Sequence, residues 1–283
     1  MYCYLFPILL FNANLYITGI DKAATREIMI KIFIIIFSIY FAPSVFSAES
    51  APCGDYGECD DYSYDLYNNE SLQKGLATYI NYCYGCHSLK YSRWGRIAAD
   101  LEIPEEILFE NLIFNQETKP GDLMTGSMIK RNAEEWFGVA PPDLTLVTRS
   151  HSPEWVYTYL RTFYEDDSKQ YGVNNLVYPG AAMPNVLSHL QGKQVLSCKE
   201  VPVIASNGGV KRDENRNDIT EEKCGYLKIK ESGELTQAGF DSLIYDLTNF
   251  LVYVGEPAKR DRERIGWYVI FFFITFTALS FLL

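Results

Sequence analysis

Residues 70–87 read ESLQKGLATYINYCYGCH, and the rest of the chain is best read outward from them. Leu72, Leu76, Tyr79, Ile80 and Cys83 recur at i, i+4, i+7, i+8 and i+11, which is one face of a helix. That helix runs into Cys83-Tyr84-Gly85-Cys86-His87. Two thiols three residues apart on a turn, followed at once by an imidazole, form the pattern for covalent haem attachment. The thiols add to the two vinyl groups, and His87 is left under the iron. One ring nitrogen then coordinates the metal, and the other is expected to donate to a backbone carbonyl that fixes the ring. A redox dithiol would call for a surrounding βαβ pattern, and half a zinc site would call for a second cysteine pair at ligand spacing. The sequence offers neither, so the reading is one covalent haem c held by Cys83 and Cys86.

A second axial ligand is then needed, from methionine or histidine. The chain has three histidines, His87, His151 and His189, and the last two read as surface residues. Met183 lies in Tyr178-Pro179-Gly180-Ala181-Ala182-Met183-Pro184-Asn185, a stiff loop suited to presenting one thioether. A methionine is more often core filler, and Met124 and Met128 lie in a looser stretch. Met183 is the candidate.

Further out, residues 104–108 open a second helix with a proline and two acids in its first turn. Residues 153–164 read as a short aromatic-rich helix. Thr236 is placed to cap a helix over residues 237–254, whose stripe includes Phe240, Ile244, Leu247, Phe250, Leu251 and Val254. Residues 198–224 are polar and charged and read as an inserted surface loop. No run carries a convincing strand pattern. The expectation is an all-α fold.

The two ends are not globular. Residues 29–47 carry Lys31, an apolar run from Ile32 to Phe41, and small residues before a cleavage point, as a secretory signal does. Translation is expected to start at Met29, with residues 1–28 an extension that is untranslated or removed. Residues 265–283 bear no charge and are long enough to cross a bilayer, with Trp267 and Tyr268 at the interface. The exported body is thus residues 48–258, and residues 259–283 form a juxtamembrane segment and anchor. Lys259, Arg260, Arg262 and Arg264 stand on the exported side of that span, against the positive-inside tendency.

Removing residues 1–47 takes away three basic residues (Lys22, Arg26, Lys31) and two acidic ones (Asp21, Glu27), so the net charge moves from −11 to −12. An acidic exported surface argues against nucleic acid and for a basic partner. Of seven cysteines, Cys53, Cys59, Cys198 and Cys224 remain outside the leader and the haem motif. In an oxidising compartment they are expected to pair as Cys198–Cys224, bracketing the insertion, and Cys53–Cys59.

The chain resembles the cytochrome c1 family, the haem subunits of quinol:cytochrome c oxidoreductase. The stretches that carry the likeness are Cys83 to Tyr91, Ala140-Pro141-Pro142-Asp143-Leu144, Tyr178 to Pro184, and Asp246 to Leu251 with Gly255-Glu256-Pro257 directly before a terminal span. Their order and spacing cover roughly residues 70–283. The resemblance implies a cytochrome c-like all-helical haem domain with a C-terminal transmembrane helix, in which the helix before the haem motif crosses the last helix of the body. It implies His87 and Met183 as axial ligands, Pro141 and Pro142 lining the haem on the histidine side, and Arg149 pairing with a propionate. It implies an electron relay that is not an enzyme on its own, seated with cytochrome b and a Rieske iron–sulfur protein in a bacterial inner membrane, its haem domain periplasmic and its acceptor a soluble cytochrome c. The alternative is a free-standing membrane-anchored monohaem cytochrome that serves a terminal oxidase or reductase.

Overall fold

The computed structural model describes residues 52–282, except residues 116, 205–207 and 214–215, together with Glu27, Lys31, Ile34 and Ile35. Apart from those four residues, the leader, the start at Met29 and the extension before it lie outside the described residues.

Helix α1 (Asn69–Tyr82) begins where Asn68 turns its side chain onto the Ser71 amide at 3.1 Å, an N-cap that satisfies a free donor. Its apolar face, with Leu72, Leu76, Tyr79 and Ile80, is buried. It runs into β1 (Leu89–Arg93) and α2 (Trp94–Asp100). A single turn, α3 (Glu105–Ile107), opens on Pro104 and widens into a π-type turn over Leu108–Leu112. Then follow β2 (Leu123–Met124), α4 (Lys130–Phe137), α5 (Val147–Ser150) and α6 (Pro153–Arg161). Ser152 caps α6 by accepting from the Trp155 amide at 3.2 Å. Strands β3 (Phe163–Glu165) and β4 (Val173–Asn175) lead to α7 (Ser188–Gln191), β5 (Gly192–Pro202) and β6 (Thr220–Ser232). Helices α8 (Gln237–Gly255) and α9 (Lys259–Leu282) close the chain.

The core is the crossing of α1 with α8. Gly75 makes it possible: a Cβ there would run into the Asp246 carbonyl and the Phe250 side chain. Around the crossing Phe240, Ile244, Leu247, Phe250 and Leu251 are at most 2% exposed. The one buried amide at this joint is fully used. Asn249 accepts from the Asp65 amide at 3.0 Å and donates to the Asp65 carbonyl at 2.8 Å and to Ser71 Oγ at 3.1 Å. A buried polar group costs free energy only when it lacks partners, so this network fixes how α1 and α8 meet without a penalty. Helix α6 is tied to α8 by Arg161, which bonds Asp241 at 2.8 Å, pairs with Asp60, and lies over the Tyr157 ring at 4.5 Å.

The expectation of an all-α fold is wrong. Among the described residues three two-stranded antiparallel sheets stand beside the helices: β1–β2, β3–β4 and β5–β6. The largest is the segment read as a surface loop. Gly192 to Pro202 pairs with Thr220 to Ser232 in one long ladder, and Cys198 is joined to Cys224 across it. This hairpin was invisible to period-2 reasoning because most of its side chains are solvated on both faces. A ribbon that buries neither face has no apolar alternation to read. The aromatic helix also ends sooner than expected, since Phe163 to Glu165 goes into β3. Near the N-terminal end of the described body, Cys53 is joined to Cys59.

Helix α9 is the anchor. Over 24 residues none of its side chains is buried in the protein, and Trp267 and Tyr268 are 75% and 73% exposed. From Ile265 onward the helix is apolar on every side, which suits lipid.

Candidate haem site

The motif sits on the turn that ends α1. The amides of Cys86 and His87 both donate to the Cys83 carbonyl, at 3.0 and 2.8 Å. Tyr79, one turn back in α1 and fully buried, donates its hydroxyl to the His87 carbonyl at 2.5 Å. From outside, the segment around Gly126 closes on the same turn. The Gly126 amide donates to Ser88 Oγ at 2.8 Å, and Tyr84 donates to the Thr125 carbonyl at 2.9 Å. A Cβ at Gly126 would come within 2.7 Å of the Tyr84 carbonyl oxygen, so no larger residue fits this approach without a shift.

His87 Nδ1 lies 2.7 Å from the Pro142 carbonyl. A carbonyl only accepts, so Nδ1 carries the proton and Nε2 is the ring atom with a free lone pair. Burial lowers the imidazole pKa against the opposing pull of that hydrogen bond, which keeps the ring neutral as a metal ligand must be. The Pro-Pro-Asp-Leu segment is itself pinned to the motif. Asp143 accepts from the Lys90 amide at 2.8 Å, and the Leu144 amide donates to the Ser88 carbonyl at 2.9 Å.

Cys83 and Cys86 are free thiols. Burial, with some help from Cys86, pushes the Cys83 thiol up to about 12, and burial also raises Cys86.

Met183 is half-buried at the edge of the core, and Tyr159 Oη lies 3.6 Å from its sulfur. The loop that carries it is held by two asparagines at the end of β4. Asn175, fully buried, accepts from the amides of Val177 and Tyr178 at 2.8 and 3.1 Å and donates to the Tyr159 carbonyl at 2.8 Å. Asn174 accepts from the Gly180 amide at 2.8 Å, where Gly180 takes a left-handed φ of 79°. Sequence reasoning missed Asn174, Asn175 and Tyr159. The signal available for Tyr159 is the four-residue spacing of His151, Trp155, Tyr159 and Phe163, whose rings touch in series along α6 and just beyond its ends.

Other candidates fall elsewhere. Met124 is fully buried in the core, paired across the sheet with Leu89. His151 is not a plain surface residue: it stacks on Trp155 at 4.1 Å, and its buried Nδ1 has no hydrogen-bond partner among the described residues. His189 is exposed beside Tyr82. Arg149 is more than half exposed and pairs with Glu256 at 3.8 Å, while Glu256 also takes Arg262 at 2.7 Å.

The residues present fit a haem. Two free thiols and a neutral, oriented imidazole share one turn. His87 is held by the Pro142 carbonyl, and Tyr79 and the Gly126 segment brace the turn that carries it. A domain of this design, carried on one apolar helix, is a membrane-anchored cytochrome of the c type. Comparison with known proteins narrows the class. Residues 61–195 match the Cytochrome C1 family. The chain is 47% identical over 221 residues to the cytochrome c1 of Allochromatium vinosum, an alignment covering 77% of this chain and 84% of that one. It is 36% identical over 249 residues to a Nitrosomonas europaea protein named ammonia monooxygenase gamma subunit, covering 88% and 94%. It is 23% identical over 247 residues to the cytochrome b/c1 of Bradyrhizobium diazoefficiens, covering 76% of this chain and 32% of that longer one. The chain belongs to the cytochrome c1 family: an electron-transfer subunit of a bc1-type complex with one covalent haem c, anchored by the apolar helix α9, and not an enzyme by itself.

Proposed function

We propose that this chain relays single electrons from a Rieske iron–sulfur protein to a soluble, basic cytochrome c, within a complex that also contains cytochrome b. The observation that carries this reading is the His87–Pro142 hydrogen bond, because it frees one ring nitrogen at the place where the thiol pair fixes a haem. Bound haem supplies a one-electron iron couple. The protein does the rest. Cys83 and Cys86 would tether the group, His87 Nε2 and Met183 Sδ would supply the iron's protein ligands, and Pro141 and Pro142 would cover the histidine side. Arg149, held by a single long ion pair to Glu256, would serve a propionate. Imidazole and thioether ligation would give the iron a raised potential relative to harder ligands, as an acceptor downstream of a Rieske centre requires. The haem body stands on the periplasmic side of a bacterial inner membrane, behind a leader cleaved near residue 47.

The acidic body suits a basic acceptor by long-range attraction, not by a large dry interface. The rate of electron transfer to a basic cytochrome c is expected to fall as salt rises from about 0.01 to 0.1 M, where the Debye length shrinks from about 30 to 10 Å. A rate flat across that range would remove the electrostatic part of the reading. Copurification tests the rest. The chain should come out of membranes with a cytochrome b and a Rieske protein. A second reading, a haem subunit serving a different membrane enzyme, is favoured by the relative named as an ammonia monooxygenase subunit, and recovery with an oxygenase would select it.

A further inference from the structure

The arginines on the wrong side of the span have a structural use. A cleft of about 370 Å³ opens where the body meets the anchor, lined by Tyr67, Arg96, Asp100, Arg260, Asp261 and Arg264. Three guanidiniums thus face it against two carboxylates. The two acids are already engaged. Asp100 takes Arg96 at 2.6 Å and the Tyr253 hydroxyl at 2.8 Å, and Asp261 takes Arg264 at 2.9 Å. Arg260 is different. Its contacts among the described residues are neutral and long: Asn69 Oδ1 at 3.3 Å, the Asp100 carbonyl at 3.4 Å, and the Tyr67 ring at 5.9 Å. It is also only partly exposed, so water screens it incompletely.

We propose that this cleft binds the phosphate of an anionic phospholipid headgroup, in the leaflet on the same side as the haem body. Position decides the occupant. Arg260 and Arg264 lie within five residues of Ile265, where the uncharged stretch begins, so the cleft sits at headgroup height when α9 spans the bilayer. The ligand always present there at high local concentration is lipid. A phosphodiester offers oxygens to two guanidiniums at once, the arrangement at which arginine excels. Arg260 provides the uncompensated charge, Arg264, which shares its guanidinium with Asp261, adds donors at the rim, and Tyr67 forms an apolar wall beside the glycerol backbone. The site also accounts for the basic cluster that runs against the positive-inside tendency: these residues serve a ligand on their own side of the membrane and do not set orientation. The proposal rests on α9 being a membrane span, and not on which proteins give or take the electron.

The test uses the full-length, haem-loaded protein with whatever membrane subunits accompany it, stripped of lipid in mild detergent. Dioleoyl phosphatidylglycerol or dioleoyl phosphatidylcholine is added back, and bound lipid is counted by native mass spectrometry. Phosphatidylglycerol should bind more tightly than phosphatidylcholine. Arg260→Gln and Arg264→Gln should each weaken it about fivefold, the roughly 1 kcal/mol that one arginine contributes at an anionic surface. Arg260→Lys should keep part of the binding, and Arg212→Gln, far out on the hairpin, should change nothing. Inorganic phosphate in excess should fail to displace the lipid. Equal binding of the two lipids, an unaltered Arg260→Gln protein, or full displacement by inorganic phosphate would each overturn the proposal. An unchanged haem spectrum in the variants shows that the fold is intact, so loss of lipid alone leaves the electron-transfer reading untouched.

Discussion

Gly75 lies so close under the Asp246 carbonyl that the two helices of the core touch backbone to backbone. The approach lets Ser71 Oγ reach Asp246 Oδ1 at 2.6 Å, one turn from the same crossing. Gly75→Ala must push α1 off α8 and carry the haem motif with it. Overpacking of this kind costs about 1–3 kcal/mol. Thermal unfolding followed by circular dichroism should show a clear drop in midpoint and a lower yield of haem-loaded protein. An unaltered midpoint would mean that the two helices have slack.

Met183→Leu removes the thioether and nearly keeps the volume. The haem should stay attached through Cys83 and Cys86, while the midpoint potential falls by a substantial part of the ~0.8 V over which axial ligands act. The reduced protein should also bind carbon monoxide. Asn175→Ala should give a milder version, because it frees the Val177 and Tyr178 amides and lets the Met183 loop wander. A redox titration of Met183→Leu that matches the parent would transfer the ligand role to Met128 or another residue.

Arg161 bridges Asp60 and Asp241 from positions where all three side chains are less than a third exposed. Arg161→Gln strands two partly buried carboxylates. The penalty for breaking a buried pair is about 3–5 kcal/mol, and partial solvation here brings it down to about 1–3. Chemical denaturation should report that loss. Asp60→Asn with Asp241→Asn should recover much of it, since the repulsion then disappears. Failure of the double replacement to rescue would show that the bridge holds the N-terminal segment by geometry, not by charge.

Several tyrosines make the fold sensitive to alkali. Burial, then a hydrogen bond to Asp60, pushes Tyr56 up to about 12. Burial, then Tyr245, raises Tyr62, and burial, then the bond to Asp100, raises Tyr253. A group whose folded pKa lies above its unfolded value contributes stability that is complete below the unfolded pKa and is lost above it. Stability should therefore hold up to about pH 10, the ordinary tyrosine value, and decline beyond it. Tyrosinate absorbance should rise in step with loss of the native circular dichroism. Smooth titration of all tyrosines in a still-folded protein would show that these hydroxyls are accessible.

Much of this was legible in advance, for reasons that differ by element. The α1 face and the α8 stripe bury one side each, so their 3.6-residue period stands in the sequence. The C-x-x-C-H motif is local chemistry and needs no fold to be read. The β5–β6 ribbon left only its cysteine pair to read, because beyond its base most side chains on both faces are solvated. Its pairing is held by the ladder and the Cys198–Cys224 bridge, which act across a long separation. Asn174 and Asn175 look like ordinary loop residues until the Met183 loop folds back on them. Their role is a tertiary contact with no sequence period.

Glu256 takes Arg149 from the body and Arg262 from the first turn of the anchor, and only residues 256–258 separate α8 from α9. Such a joint is short, and its two ion pairs favour one setting of the body on the anchor. A short tether leaves the body little reach of its own, so meeting any redox partner depends mainly on the movement of that partner.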